Sequence, residues 1–177
     1  MIELIYAHPY PRRSRANQAL LRAVSDLDFV RVRPLYELYP DFALDIEAEQ
    51  DLLAGAHSVV WQHPMYWYSV PPLLKLWFDK VLAHGWAYGD HGTALRGKNC
   101  QWVVTTGGPQ SSYSDGAMHR HPFDTFAAPI EQTARFCGMQ WCEPISVHGA
   151  HRASEGALSA VGAQYRERLL ALEAGHG

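Results

Sequence analysis

Short apolar runs alternate with segments of helical periodicity along the chain. The runs are rich in β-branched and aromatic residues and are bounded by turn residues, as strands are. Between them, apolar residues recur every three or four positions, which is typical of amphipathic helices. The alternation predicts strands at residues 2–7, 30–32, 58–62, 101–105 and 145–147, and helices at residues 17–24, 48–54, 72–83, 123–136 and 158–170.

The predicted strands are almost continuously apolar and do not alternate between apolar and polar residues. This pattern favours a parallel sheet that is covered on both faces, and right-handed crossovers then leave few topologies. A chain of 177 residues is also long enough to bury one sizeable core. We therefore expect one α/β domain over residues 1–177, with five parallel strands in the doubly wound order 2-1-3-4-5.

The charge balance argues against a nucleic acid or an anionic membrane surface as a partner. The net charge is -3, and the 15 Lys and Arg residues are scattered along the chain without forming a stripe. The first residues show no basic segment followed by an apolar one, as a secretory signal would. We therefore expect a cytoplasmic protein that acts on small molecules.

Neither the cysteines nor the histidines show the spacing of a metal site. Cys100, Cys137 and Cys142 contain no C-x-x-C pair, so we expect reduced thiols with no disulfide framework and no zinc. Histidine pairs at 119/121 and 84/91 lack a carboxylate or cysteine at ligand spacing. Solvated loop histidines are the simpler interpretation, and no metal is predicted.

In doubly wound sheets, ligands bind beyond the carboxyl ends of the strands, where the strand order reverses. The first loop to consider begins at His8. Its prolines end the strand, and Ser14 is a favoured N-cap for the next helix. Such a helix start can hold a phosphate, with the Ser14 hydroxyl and the Asn17 amide as further donors. A plain capped helix is the alternative, and no Rossmann or Walker glycine motif is present.

Two further loops have unusual composition. The second begins at His63 and places Trp67 and Tyr68 just after a strand, where they could line a flat aromatic ligand, cap the core or form a dimer contact. The third begins at Thr105 and contains Gly107 and Gly108, which allow a close approach of the backbone. Its N–H groups could face a carbonyl or ring nitrogen that gains negative charge on reduction.

Three motifs in these loops resemble the NAD(P)H quinone reductase family: Tyr-Ala-His-Pro at 6–9, the segment 63–75 and Thr-Thr-Gly-Gly at 105–108. Two more, at 38–42 and 84–89, resemble the family's KefF branch, the ancillary proteins of glutathione-regulated potassium efflux. The resemblance implies a homodimer with the flavodoxin-like three-layer sandwich, carrying FMN, or FAD in some relatives. It further implies ping-pong, two-electron reduction of quinones or other flat acceptors, with NAD(P)H as the co-substrate.

The resemblance also implies which residues act. Tyr113 and His119 match the Tyr and His that lie beside the flavin and stabilise negative charge on its N1 and C2 carbonyl side. A solvated surface loop is the alternative for both. The implied flavin-binding residues are His8, Ser14, Arg15, Ala16, Asn17, Met65, Tyr66, Trp67, Tyr68, Thr105, Thr106, Gly107 and Gly108.

Several alternatives stay open at this point. A hydrolase is disfavoured because there is no G-x-S-x-G elbow, and Ser69 precedes two prolines. A regulatory subunit of a potassium efflux membrane protein is the serious rival, located at the inner membrane through that partner. Azo-dye or nitroaromatic acceptors, and NADH against NADPH, are undecided. Trp67, Trp77 and Trp86 could belong to a dimer contact or to the core.

Overall fold

The computed structural model describes residues 1–176 and contains one parallel sheet of six strands. The order β2-β1-β3-β4-β5 confirms the predicted topology, and the sixth strand, β6, also pairs with β4. The fold is therefore the expected flavodoxin-like one. The strands are β1 Ile2–Tyr6, β2 Val30–Pro34, β3 Ser58–Pro64, β4 Asn99–Thr105, β5 Gln140–Trp141 and β6 Ile145–Val147.

The additional strand arises because the fifth position in the sheet is interrupted. Both β5 and β6 lie beside β4, and residues 142–144 separate them. Pro144 lies in this gap and cannot donate a ladder hydrogen bond, while the Gln101 side chain donates to the Glu143 carbonyl at 2.9 Å. The apolar pattern predicted β6 but missed β5, which is only two residues long.

Within residues 1–176, six α-helices flank the sheet, and three of them begin earlier than the apolar periodicity indicates. Their N-caps are Ser14, Asp45 and Ser154, and each cap side chain accepts an N–H from the first turn. Capping thus adds residues that the periodicity leaves out, and the four-residue α2 was not predicted. The helices are α1 Arg15–Val24, α2 Leu35–Leu38, α3 Ile46–Gly55, α4 Pro72–Val81, α5 Phe123–Phe136 and α6 Glu155–Ala174.

Helices cover both faces of the sheet, so there are two apolar cores. Val60 of β3 packs in the core with α1 and α6, whereas its neighbour Trp61 packs in the core with α3, α4 and α5. This alternation explains why the strands are apolar throughout. Trp77 is fully buried in the second core, so it is not available for a subunit contact. No helix within residues 1–176 is long and apolar enough to span a membrane.

Candidate functional site

The three predicted loops meet at the carboxyl edge of the sheet around a cavity of about 550 Å³. The cavity lies where the connections from β1, β3 and β4 come together, as the topology predicts. The loop after β6 completes its wall. Its lining is formed by His8, Tyr10, Arg13, Ser14, Arg15, Ala16, Pro64, Met65, Tyr66, Thr105, Thr106, Gly107, Ala150 and His151.

The start of α1 offers free backbone donors to this cavity. The Ser14 hydroxyl accepts the Asn17 N–H at 3.3 Å, and the Ser14 carbonyl accepts the Gln18 N–H at 3.0 Å. Within residues 1–176, the N–H groups of Arg15 and Ala16 have no acceptor. Unpaired N–H groups at the positive end of a helix dipole favour an anion.

Basic side chains surround the same helix start. Burial lowers the pKa of His8, and its Nδ1 accepts the Tyr10 N–H at 2.9 Å, which leaves Nε2–H as its free donor. The Arg13 guanidinium lies 5.8 Å from the centre of the Tyr10 ring. Arg15 instead forms an ion pair with Glu155 at 3.2 Å, so we expect it to contribute its backbone N–H.

Asn17 is fully buried and does not line the cavity. Its amide nitrogen donates to Ser14 Oγ and to Thr105 Oγ1, both at 3.0 Å. Gln62 Nε2 donates to the Asn17 backbone oxygen at 3.2 Å and to its side-chain oxygen at 3.3 Å. This polar junction of Ser14, Asn17, Gln62 and Thr105 joins α1 to β3 and β4. Asn17 therefore positions the helix start.

Gln62 was not among the predicted site residues. The signal that could have identified it is its position as the one amide side chain in the apolar run 58–62. A buried amide needs hydrogen-bond partners, so such a residue indicates a polar contact between elements.

The loop after β3 contains a strained turn. Tyr66 and Ser69 exchange N–H···O bonds of 3.1 and 2.9 Å, and the two residues between them, Trp67 and Tyr68, have φ values of 49° and 62°. Such turns normally place Asn-Gly at these positions. Within residues 1–176 the N–H groups of Trp67 and Tyr68 are unpaired, and the Trp67 side chain is 91% exposed. Strain of this kind is concentrated at binding sites.

The turn after β4 presents two more free donors. Within the described residues, the N–H groups of Gly107 and Gly108 have no acceptor. A Cβ at Gly108 would lie 2.7 Å from His119 Nε2, so a side chain at this position would displace that ring. A second cavity of about 740 Å³ lies on this side and shares Gly107 and His151 with the first.

Tyr113 and His119, which follow the glycine turn in the same loop, meet in an aromatic cluster with Tyr68 and Phe126. The Tyr113 and His119 rings are stacked with centroids 4.4 Å apart, and the Tyr68 and Phe126 rings lie 5.1 Å apart. Tyr68 Oη lies 3.4 Å from His119 Nδ1. The buried His119 Nε2 has no hydrogen-bond partner within residues 1–176. The structure thus brings both predicted catalytic residues together, with His119 beside Gly108 and Tyr113 stacked on His119.

His63, where the second loop was expected to begin, is a fully buried residue of β3. Trp102 donates its indole N–H to His63 Nε2 at 2.7 Å, so the imidazole proton is on Nδ1, beside the Pro64 carbonyl at 2.9 Å. Burial lowers the pKa of His63 to about 4. The imidazole is therefore neutral at physiological pH, and its role is structural: it connects β3 to Trp102 of β4 beneath the site.

The sequence matches a family model described as the flavodoxin-like fold over residues 2–169. A curated relative from Citrobacter koseri, the glutathione-regulated potassium-efflux system ancillary protein KefF, is 53% identical over the full length of both chains. These matches place the KefF resemblance of residues 38–42 and 84–89 within a similarity that extends over the whole chain.

Three solved structures are similar over nearly the whole chain. One, described as a thermophilic tryptophan halogenase from Streptomycin violaceusniger, is 38% identical, covers 95% of this chain and 98% of its own, and has a TM-score of 0.90. The general stress protein 14 of Treponema denticola, in complex with FMN, is 36% identical with 98% of each chain covered and a TM-score of 0.86. An NADPH-quinone reductase from P. pentosaceus is 28% identical, with 95% and 96% covered and a TM-score of 0.86.

Proposed function

The chain belongs to the flavodoxin-like family, and from this premise we propose that it is an FMN-dependent NAD(P)H:quinone oxidoreductase. The observation that carries the proposal is the set of unpaired backbone N–H groups on three loops that face one region of the sheet edge. The N–H groups of exposed residues such as Trp67 can bond to water, but Ala16 is buried and Gly108 is partly buried, and donors at such positions are normally paired. Free donors on neighbouring loops that include these two residues indicate a ligand with several acceptors. FMN has a phosphate, ring carbonyls and ring nitrogens.

The residues present fit FMN. The Arg15 and Ala16 N–H groups, with His8 and Arg13, would hold the phosphate at the start of α1. The N–H groups of Gly107 and Gly108 would meet the ring edge, and the segment 65–68 would line the ring. Neighbours of the same fold bind FMN, as the Treponema denticola protein does.

FMN, when bound, supplies two-electron transfer between a nicotinamide donor and a flat acceptor. The chain's part is to orient and stabilise. The His119 imidazole lies beside the Gly108 turn and the Tyr113 ring is stacked on it, so these two side chains would stabilise negative charge and deliver a proton there. The unpartnered His119 Nε2 provides a free position for that purpose. Trp67 and Tyr68 offer exposed rings on which a quinone can stack.

A homodimer is part of this proposal. Phe136 of α5 is 62% exposed and lines a groove of about 400 Å³ in which the apolar residues Phe78, Leu82 and Tyr88 are mixed with Lys75, Asp79, Gln132 and Thr133. An exposed aromatic ring at a groove with a polar rim is typical of protein contacts. Sedimentation at micromolar concentration should give the mass of two chains, and a monomer would contradict this part.

The test of the enzyme is spectroscopic. The purified protein, saturated with FMN, is mixed with NADPH or NADH in the absence of oxygen, and the visible absorbance is recorded before and after a benzoquinone is added. We expect the flavin absorbance to bleach and then to recover at once. Protein that binds no FMN would overturn the proposal, and protein that binds FMN but does not bleach would leave only the binding function.

A Ser14→Ala and Thr105→Val double variant serves as the comparison for flavin binding, because both hydroxyls belong to the polar junction beside the proposed phosphate site. Its affinity for FMN should fall by about tenfold or more. Its affinity for a free quinone at the aromatic cluster should not change.

A second function, as ancillary subunit of a potassium efflux membrane protein, is supported by the 53% identity to the Citrobacter koseri protein of that description. Such a subunit would be cytoplasmic and would reach the inner membrane through its partner. Both functions can coexist in one chain. Co-expression with a glutathione-regulated efflux protein should raise potassium efflux from cells, and efflux that is unchanged would remove this candidate.

A further inference from the structure

A chain of hydrogen bonds runs from β6 to the glycine turn through His148, a residue that the sequence did not single out. Ser146 Oγ lies 3.1 Å from His148 Nε2, and His148 Nδ1 lies 3.0 Å from Thr106 Oγ1. Thr106 Oγ1 in turn lies 2.9 Å from the Gly108 carbonyl oxygen. Three side chains thus link the last strand to the turn after β4.

The direction of these bonds follows from the donors available. The Gly108 carbonyl can only accept, so the single Thr106 hydroxyl proton is donated to it. Thr106 Oγ1 must then accept from His148 Nδ1–H, so a proton on Nδ1 is required. In the neutral imidazole Nε2 carries no proton and accepts the Ser146 hydroxyl proton. Burial lowers the pKa of His148, which favours the same neutral form.

The consequence is a fixed orientation of the glycine turn. The Gly108 carbonyl also accepts the Gly149 N–H at 2.8 Å, so two donors hold it toward β6. Within residues 1–176 the Gly107 and Gly108 N–H groups are left unpaired, and both glycines line the second cavity. Without these bonds the backbone of two adjacent glycines could adopt many conformations. The His148 ring also packs against Tyr113, with centroids 5.3 Å apart.

We propose that His148, as the Nδ1–H tautomer, is the positioning residue that fixes the Thr106–Gly108 turn, so that the N–H groups of both glycines face the ring of the bound flavin. The identity of the ring rests on the proposed function. The hydrogen-bond chain itself does not, because it is present in the protein alone.

The first experiment measures the tautomer in protein without added flavin. Long-range proton–nitrogen NMR correlations of ¹⁵N-histidine-labelled protein distinguish Nδ1–H from Nε2–H. We expect His148 to be neutral at pH 7 with its proton on Nδ1. A proton on Nε2 would overturn the proposal, since Thr106 would then have to donate to His148 and release the Gly108 carbonyl.

The second experiment separates the two nitrogens by substitution. The Asn amide nitrogen occupies the place of Nδ1 along the side chain, whereas the Gln amide occupies that of Nε2. His148→Asn should keep the affinity for FMN within about threefold, and His148→Gln and Thr106→Val should each weaken it by about tenfold. Thr106→Ser, which keeps the hydroxyl, should restore binding.

Two readouts identify the turn as the cause. The affinity for inorganic phosphate should not change in any variant, because the proposed phosphate donors lie on α1. His91→Gln, at an exposed histidine outside both cavities, should bind FMN with the wild-type affinity. Equal weakening by Asn and Gln would overturn the proposal. Wild-type protein that binds no FMN would overturn the proposed function and the flavin part of this inference, while the NMR result would still decide the role of His148 in the turn.

Discussion

The two sides of the candidate site are built differently. The polar junction of Ser14, Asn17, Gln62 and Thr105 is held by side-chain hydrogen bonds of 3.0 to 3.3 Å, and Asn17 and Gln62 are fully buried. The aromatic cluster is held by ring contacts, with one long side-chain hydrogen bond of 3.4 Å between Tyr68 and His119.

The difference separates two tasks. Buried polar groups that hydrogen-bond to one another fix a single geometry. If one of them is removed, the others lose a partner and the free energy of unfolding falls. Ring stacking tolerates displacement, and the positive φ values at Trp67 and Tyr68 show strain that the cluster side carries. We expect the junction to control folding and phosphate affinity, and the cluster to control the acceptor and the reaction. The following predictions test this division, in decreasing order of their effect on the free energy of unfolding.

Asn17→Leu should lower the free energy of unfolding by about 4 kcal/mol, since Thr105 and Gln62 would each lose a buried hydrogen-bond partner. Urea denaturation measures this change. Gln164→Leu, at an exposed position of α6, is the control and should change stability by less than about 0.5 kcal/mol. A loss for Asn17→Leu that is as small as the control's would mean that the junction does not hold the fold.

Acid should destabilise the buried contacts below the aromatic cluster. His63 is uncharged in the folded state, and Trp102, which donates a hydrogen bond to it, stacks on Phe123 next to Tyr113. Because the pKa of His63 is about 4 in the folded protein and 6.5 normally, the unfolded chain takes up its proton first as the pH falls. The free energy of unfolding is therefore not reduced by His63 above pH 6.5. As the pH falls from 6.5 to about 4, it decreases by about 3 kcal/mol in total.

The measurement is urea denaturation at a series of pH values. Wild-type stability should rise by about 1.4 kcal/mol per pH unit from this residue between pH 4 and 6.5, in addition to the same-sign contributions of other histidines with lowered pKa. His63→Asn should be less stable at pH 7 but have a flatter pH dependence. Equal slopes for the two proteins would contradict the assignment.

Trp67→Gly should stabilise the protein by about 0.5–1 kcal/mol, because glycine relieves the positive φ and the side chain that is lost is almost fully exposed. Quinone reduction by the FMN-loaded protein should decline at the same time. Thermal and urea unfolding, compared with Tyr10→Gly at an exposed aromatic with negative φ, measure the gain. A destabilised Trp67→Gly would show that the turn is not strained.

Tyr113→Phe should change stability by less than about 0.5 kcal/mol, because no residue in 1–176 hydrogen-bonds to its hydroxyl. If the hydroxyl stabilises the reduced flavin or delivers a proton, quinone reduction should slow by about 10²-fold. Stopped-flow absorbance separates the rates of reduction and reoxidation. Tyr165→Phe, at a buried tyrosine outside both cavities whose hydroxyl also lacks a hydrogen-bond partner within residues 1–176, is the matched control and should react at the wild-type rate.

Most of the site's outline could be predicted from the chain. Apolar runs separated by helical periodicity indicate a doubly wound sheet, and that topology brings the loops at His8, His63 and Thr105 to one edge. The Ser14 cap was also predictable, since its residue type and position suffice. Strand β5 was not, because two residues carry no periodicity and only their pairing with β4 defines them.

Local pattern determined most of the elements, their order and the edge at which the candidate site lies, because these depend on periodicity, caps and turn residues that neighbours in the chain share. The tertiary structure decided which side chains line the cavity and which support its wall. Asn17 hydrogen-bonds to Thr105 and Gln62 inside the protein, and His148 hydrogen-bonds to Thr106. Such contacts join residues far apart in sequence, and their geometry exists only after the sheet has brought the strands together.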